Sequence, residues 1–141
     1  MDLHPADADD RTWADARYVE IDFVPLAPTH ELVVAWIAGE RVGVGRIVPA
    51  DADSGELGGM YVAPVARGRG VADAIVRHLL RTTHRRTLYC IPFADLSGLY
   101  ERCGFRRLDG TAALPSAVAD KLAYCRGHYP RPVTLLRWDR G

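Results

Sequence analysis

From Glu31 onward the chain alternates short apolar runs with polar breaks. ELVVAWIAG and RVGVGRIVP are β-branched stretches separated by a turn at Gly39–Glu40, which predicts a β-hairpin. The polar PADADSG follows, and ELGGMYVA reads as a third strand that Pro64 ends. The period then changes. Val71, Ala72, Ile75, Val76, Leu79 and Leu80 recur at helical spacing, with Asp73, Arg77 and Arg81 on the opposite face, so this helix lies against a sheet. TLYCIPF is strand-like, DLSGLYERC predicts a short helix with Asp95 as its N-cap, and Gly104 is its stop. FRRL is again strand-like, Pro115 opens a helix that runs to Gly127, and VTLLRW is a last strand. Ahead of the hairpin, Thr12 to Val19 reads as a short helix leading into YVEIDFVPL, with a strand from Tyr18 fitting nearly as well. The acidic, alanine-rich residues 1–11 read as a flexible tail. With no internal repeat, low-complexity tract or linker, residues 1–141 are expected to share one core as a single domain.

Composition narrows the picture. A 48% hydrophobic fraction over 141 residues suits a globular chain with a real core. Eighteen basic and eighteen acidic residues cancel, so no overall field draws the protein to nucleic acid or to a membrane, and any anion must be caught locally. Lys121 is the only lysine among the basic residues. Cys90, Cys103 and Cys125 are odd in number and lack C-x-x-C spacing, which speaks for neither a disulfide framework nor a zinc site; no metal is called for. A reducing, cytoplasmic setting is the simplest account. No apolar run approaches the ~18 residues of a membrane span.

The candidate chemistry sits in GGMYVAPVARGRGVADAIVRHLL, Gly58 to Leu80. A helix N-terminus leaves its first N–H groups unpaired and carries partial positive charge, so a phosphate fits there if no side chain blocks it. Gly68 and Gly70 remove the obstruction, Arg67 and Arg69 add charge, and the amides from Gly68 to Asp73 face one point. A structural helix cap explains the glycines as readily. The dinucleotide fingerprint G-x-G-x-x-G/A fails because Asp73 stands where a third small residue belongs, and a Walker loop fails for want of Gly-Lys-Ser/Thr. Upstream, Gly58-Gly59 within a strand marks either a bulge, a close approach of ligand or backbone, or a packing need for small residues. Strand amides beside a phosphate cradle match a ligand with amides along an arm and a pyrophosphate at its end, which is coenzyme A.

These residues resemble the coenzyme-binding motif of the GNAT N-acetyltransferases. The R/Q-x-x-G-x-G/A pattern falls on Arg67, Gly70 and Ala72, after a strand ending in MYV and a Val-x-Pro. SGLYERCGFRRL is similar to the family's second signature, here Leu99, Tyr100, Glu101, Gly104 and Phe105, and the two together cover roughly residues 56 to 106. The resemblance implies an α/β fold: a mixed, largely antiparallel sheet, splayed between ELGGMYV and TLYCIPF at the coenzyme site and flanked by helices.

It also implies acetyl-CoA as cosubstrate, held by Met60, Tyr61, Val62 and by Arg67, Gly68, Arg69, Gly70, Val71, Ala72 and Asp73. An amine of a small molecule or protein would attack the thioester directly, with a backbone N–H of Met60 to Val62 facing the oxyanion. The resemblance points to Tyr100 as general acid, since a phenol with a pKa near ~10 holds its proton at neutral pH yet can pass it to a thiolate. Packing on its own helix is the alternative. TLYCIPF carries no carboxylate, a departure from the family that leaves Glu56 as candidate base; otherwise Glu56 is a solvated strand-end charge and amines arrive already neutral. The asparagine the family often places before the tyrosine is missing, with Asp95 or Ser97 in its neighbourhood. His30 reads as a loop residue, His78 and His84 as helix-end residues, Cys90 as a buried small hydrophobe, and Trp36 and Trp138 as sheet residues. Acceptor recognition is left to Asp15–Pro28, to the loop at Asp51–Ser54, or to a second subunit, with homodimerisation open. Two rival readings stand beside acetyl transfer: a non-catalytic acyl-CoA sensor, and a nucleotide-binding unit against which Asp73 argues.

Overall fold

The computed structural model describes residues 1–109 and 113–141. Among these residues seven strands are ordered β1-β2-β3-β4-β5-β7-β6 in one mixed sheet. Only the β4–β5 pair is parallel among the registered pairs; β1–β2, β2–β3, β5–β7 and β6–β7 are antiparallel. By chain contacts the molecule divides into two compact units, Met1–Ile47 with Gly59–Thr83, and Val48–Gly58 with His84–Gly141. The chain therefore passes from one unit to the other within β4 (Ser54–Val62).

The first unit is built on the expected hairpin, β2 (Glu31–Ile37) and β3 (Glu40–Pro49). Its two central turn residues are Ala38 and Gly39, both at positive φ (51° and 77°), one position earlier than the sequence predicts. Two left-handed residues match the twist of the flanking strands, which is why Gly is well placed there. The V-G-V-G alternation of β3 sorts its two faces. Val44 joins Leu32 and Val34 in a core with Ala14 and Tyr18. Gly43 and Gly45 serve the helix α2 (Val71–Thr82): a Cβ on Gly43 would stand 2.8 Å from Val71 Cγ1, and one on Gly45 2.6 Å from Ile75 Cγ2. The missing side chains thus let the apolar stripe of α2 seat directly on the strand, with Ile75, Val76 and Leu79 buried.

The N-terminal expectations need correction. Residues expected to fray instead form β1 (Asp2–Pro5), paired with Trp36 to Val33 of β2, and α1 (Ala8–Glu20) follows at once. No strand begins at Tyr18. Asp7 caps α1 by accepting from the Asp10 amide at 2.8 Å, and Asp10 accepts from the Asp7 amide at 3.0 Å, a reciprocal capping box built from two aspartates. The fully buried Asp10 also accepts from Arg41 Nε at 2.8 Å. Burial alone would raise the Asp10 pKa; the Arg41 hydrogen bond, the Asp7 amide and the charges of Arg41 and His4 outweigh it and hold the carboxyl below its usual value. A depressed folded pKa contributes stability that is present above the unfolded value, about 3.9, and is lost as pH falls through the lower folded value. Asp10→Asn is therefore expected to cost roughly 1–3 kcal/mol at neutral pH and to flatten the loss of melting temperature below about pH 4. Thermal melts across pH check this; a variant with the wild-type acid limb overturns it.

The second unit places β5 (Thr87–Cys90) beside β7 (Leu136–Asp139), with the two-residue β6 (Arg106–Arg107) at the edge. Tyr89, Leu135 and two residues of α4 (Ser116–His128), Val118 and Leu122, form its core. Pro115 is the residue before α4 rather than its first, and the helix ends one residue past Gly127. A 3-10 turn, Ala94–Leu96, leads into α3 (Ser97–Arg102). Asp95 lies inside that turn and is not an N-cap: it pairs with Arg131 at 2.8 Å. Gly104, at φ 106°, stops α3 as expected. Among the described residues no helix is long and apolar enough to cross a membrane.

Candidate functional site

In the first unit, β4 runs to Val62, Pro64–Ala66 makes a 3-10 turn, and the glycine–arginine turn delivers the chain to α2. Gly68 and Gly70 both hold positive φ (80° and 76°), so glycine is needed for the backbone, and a Cβ on either would meet no atom within 4 Å. The space over the turn is open. Gly70 is the N-cap of α2 and no side chain caps it. The first intrahelical bond runs from the Ala74 amide to the Gly70 carbonyl at 3.0 Å, so the amides of Val71, Ala72 and Asp73 lie ahead of the ladder. Arg67 folds back, donating from Nε to the Val62 carbonyl at 3.3 Å, while Arg69 stays exposed. Asp73 pairs along the helix with Arg77 at 2.9 Å. The residues predicted to hold a diphosphate thus form an unobstructed, positively framed helix entrance.

The paired glycines of β4 have separate causes. Gly59 holds φ 57°, and a Cβ there would stand 2.6 Å from Arg46 Nε and 2.8 Å from the Tyr18 hydroxyl. Gly58 makes room for the Glu56 carboxylate, whose Oε2 would clash with a Cβ there. The parallel register of β4 with β5 covers Ser54 to Leu57, paired with Thr87 to Cys90, and stops there while β4 continues through Met60, Tyr61 and Val62. Tyr61 packs edge-on to Trp13 of α1 at 6.0 Å.

In the second unit Glu56 is 7% exposed, so it is not the solvated strand-end charge of the alternative reading. Its Oε1 accepts from Lys121 Nζ of α4 at 3.1 Å. Sequence reasoning missed this pairing; the only available signal was a single lysine in a chain that otherwise uses arginine. Burial first, and then the Glu56 charge, push the Cys90 thiol well above its usual range. A thiol held protonated is a poor nucleophile. Taken as a buried small hydrophobe, Cys90 replaced by Ala is expected to leave the acyl transfer that the sequence implies within about threefold of wild type; loss of turnover in a folded variant would contradict this reading. Tyr100 is 6% exposed on α3, with its ring edge-to-face against Phe105 at 6.0 Å and 84°.

Three further stretches change their reading. His30 is buried instead of a free loop residue: its Nδ1 takes the Ala27 amide at 3.3 Å and stands 3.4 Å from an Arg46 nitrogen. The loop at Asp51–Ser54 is closed on itself, since Asp51 accepts from the amides of Asp53 and Ser54 at 2.9 and 2.8 Å. Arg85 secures it from behind by donating to the Asp51 and Ser54 carbonyls. The stretch Asp15–Pro28, by contrast, borders an open cavity of about 500 Å³ lined by Arg11, Thr12, Asp15, Leu26, Ala27 and Pro28.

Comparison with known proteins bears on the family and the fold. Residues 28–107 match the family model described as an acetyltransferase (GNAT) domain. The chain is 30% identical over 135 residues to the uncharacterized N-acetyltransferase YjgM of Escherichia coli K12, covering 89% of this chain and 74% of that protein. Among solved structures, Rv2747 from Mycobacterium tuberculosis in complex with CoA and NLQ superimposes with a TM-score of 0.77 at 19% identity, over 100% of both chains. A GNAT family acetyltransferase from Elizabethkingia anophelis with acetyl-CoA bound gives a TM-score of 0.67 at 17% identity, over 99% of this chain and 97% of that one.

Proposed function

Because the chain belongs to the GNAT acetyltransferase family, we propose that it moves an acetyl group from acetyl-CoA to an amine of a small molecule or protein, the amine attacking the thioester directly. The observation that carries this reading is the entrance to α2: two left-handed glycines, open space above them, two arginines beside them, and three amides ahead of the helical ladder. Those features suit the diphosphate of the coenzyme. A structural cap needs only one such glycine and no open approach.

Acetyl-CoA supplies the activated acyl group, and the chain's own residues do the rest. The amides of Met60 to Val62, on the part of β4 beyond the β5 register, face the charge that develops on the thioester oxygen. Tyr100 passes its phenolic proton to the departing thiolate, and Glu56 draws the proton from the acceptor amine. Lys121 holds the Glu56 carboxylate in one orientation. Two observations favour direct attack over a covalent relay: the only cysteine on β5, Cys90, is fully buried, and burial keeps its thiol protonated. Of the two stretches considered for acceptor recognition, Asp15–Pro28 borders an open cavity while the loop at Asp51–Ser54 is closed on itself by the Asp51 carboxylate, which favours the former.

The test is a panel of small amines, amino acids and peptide N-termini, followed by release of free thiol from acetyl-CoA. At least one acceptor is expected to raise release well above the acceptor-free rate. Coenzyme binding with no turnover across the panel favours the sensor reading. No calorimetric signal with acetyl-CoA at millimolar concentration overturns both.

A further inference from the structure

Arg46 of β3 is 2% exposed, yet among the described residues none of its hydrogen-bond partners is a carboxylate. It donates to the Val24 carbonyl at 2.8 Å, reaches His30 Nδ1 at 3.4 Å, and lays its guanidinium over the Tyr18 ring at 4.2 Å. His30 Nδ1 also receives the Ala27 amide, so it is the acceptor nitrogen of that ring. Burying a guanidinium away from a carboxylate is costly, and an aliphatic side chain would fill the same volume without that cost. A purely structural role leaves the charge unexplained.

The next link supplies a reason. Tyr18, fully buried on α1, donates its hydroxyl to the Gly59 carbonyl at 2.7 Å. That carbonyl belongs to the peptide unit whose N–H is the Met60 amide. A hydrogen bond received by a carbonyl strengthens the donor at the other end of the same peptide, because linked hydrogen bonds polarise one another in a low-dielectric interior. A cation over the phenol face is attracted to that ring and anchors it. Gly59 itself holds φ 57°, and any Cβ would strike Arg46 and Tyr18, so the clamp and the left-handed glycine require each other.

We propose that Tyr18 and Arg46 are positioning residues for acyl transfer: they clamp the left-handed backbone at Gly59 and, through the Gly59–Met60 peptide, aim and polarise the Met60 amide toward the thioester oxygen. This rests on the assignment of the Met60 to Val62 amides as oxyanion donors. His30 and Val24 hold the guanidinium in place, which explains a buried histidine in a loop.

The experiment uses the full chain with acetyl-CoA labelled with carbon-13 at the thioester carbonyl, and reads the bound carbonyl stretch by difference infrared spectroscopy. Tyr18→Phe removes the hydroxyl and keeps the ring beneath Arg46. In wild type the stretch is expected to move to lower frequency on binding. In Tyr18→Phe a large part of that movement is expected to vanish, with coenzyme affinity unchanged and turnover down about tenfold. Arg46→Lys, which retains charge but cannot span Val24 and His30 with a planar fork, is expected to act in the same direction and serves if Tyr18→Phe does not fold. A folded variant with the wild-type carbonyl stretch overturns the clamp alone. A wild-type protein that binds acetyl-CoA without shifting its carbonyl overturns the amide assignment, and the clamp with it.

Discussion

Replacing Tyr100 by Phe is expected to lower acetyl transfer at least tenfold while leaving coenzyme affinity close to wild type, the loss typical of a removed general acid. The packing favours a clean reading. Tyr100 is buried on α3 with its ring edge-on to Phe105, a contact that a phenylalanine ring makes equally well. Its backbone carbonyl accepts from the Cys103 and Phe105 amides, and substitution does not touch that turn. Only the hydroxyl is lost. If the tyrosine serves packing alone, turnover stays at the wild-type level and the variant removes Tyr100 from the chemistry. If the hydroxyl passes the proton, the deficit falls on turnover and not on binding, and it narrows for acyl donors whose thiols are better leaving groups. A sensor has no turnover to lose, so coenzyme binding without an effect on function separates that reading from the catalytic one.

The elements that the sequence makes legible are those whose stabilising pattern is local. The β2–β3 hairpin announces itself by β-branched runs around a glycine turn, and α2 by an apolar stripe of period 3.6, because both signals lie within a dozen neighbouring residues. The glycine–arginine turn is legible for the same reason. The N-terminus is not. β1 is four residues long, largely exposed, and held by pairing to β2 some thirty residues away, so no alternation marks it. The cap of α1 uses Asp at both positions where Ser or Thr with Glu is the usual signature.

The groups around the candidate chemistry were hidden by sequence separation. Tyr18 reaches Gly59 across 41 positions, Arg46 meets His30 across 16, and Lys121 meets Glu56 across 65. Nothing in the local composition of any of these partners points to the other. The paired glycines show both sides of this. Two glycines in a strand left a bulge, a close approach or a packing need open; that Gly58 yields to a carboxylate and Gly59 to a phenol and a guanidinium follows only from the folded positions of residues elsewhere.

Gly70 separates the two explanations of the cradle, helix cap or phosphate site. Gly70→Asn and Gly70→Asp both place a small polar side chain at φ 76°, where Asn and Asp are the side chains that best tolerate left-handed backbone. Each is expected to cost a similar, modest stability of about 1 kcal/mol. The added atoms enter open space, so neither collides with the fold. The variants differ by one negative charge at the point where the diphosphate is expected. Two charges about 5 Å apart at an effective dielectric near 20 repel by roughly 3 kcal/mol, so Gly70→Asp is expected to bind acetyl-CoA about a hundredfold more weakly than Gly70→Asn. The gap should shrink in high salt, because this turn is exposed and its charges are screened. A pure cap predicts no gap in affinity: a carboxylate favours a helix N-terminus, so Gly70→Asp would be slightly the more stable protein and would bind as Gly70→Asn does. Calorimetric titration of the two variants with acetyl-CoA, at low and high salt, reads the difference directly. Equal affinities for the two would remove the diphosphate from the entrance of α2 and, with it, the strongest support for the coenzyme site.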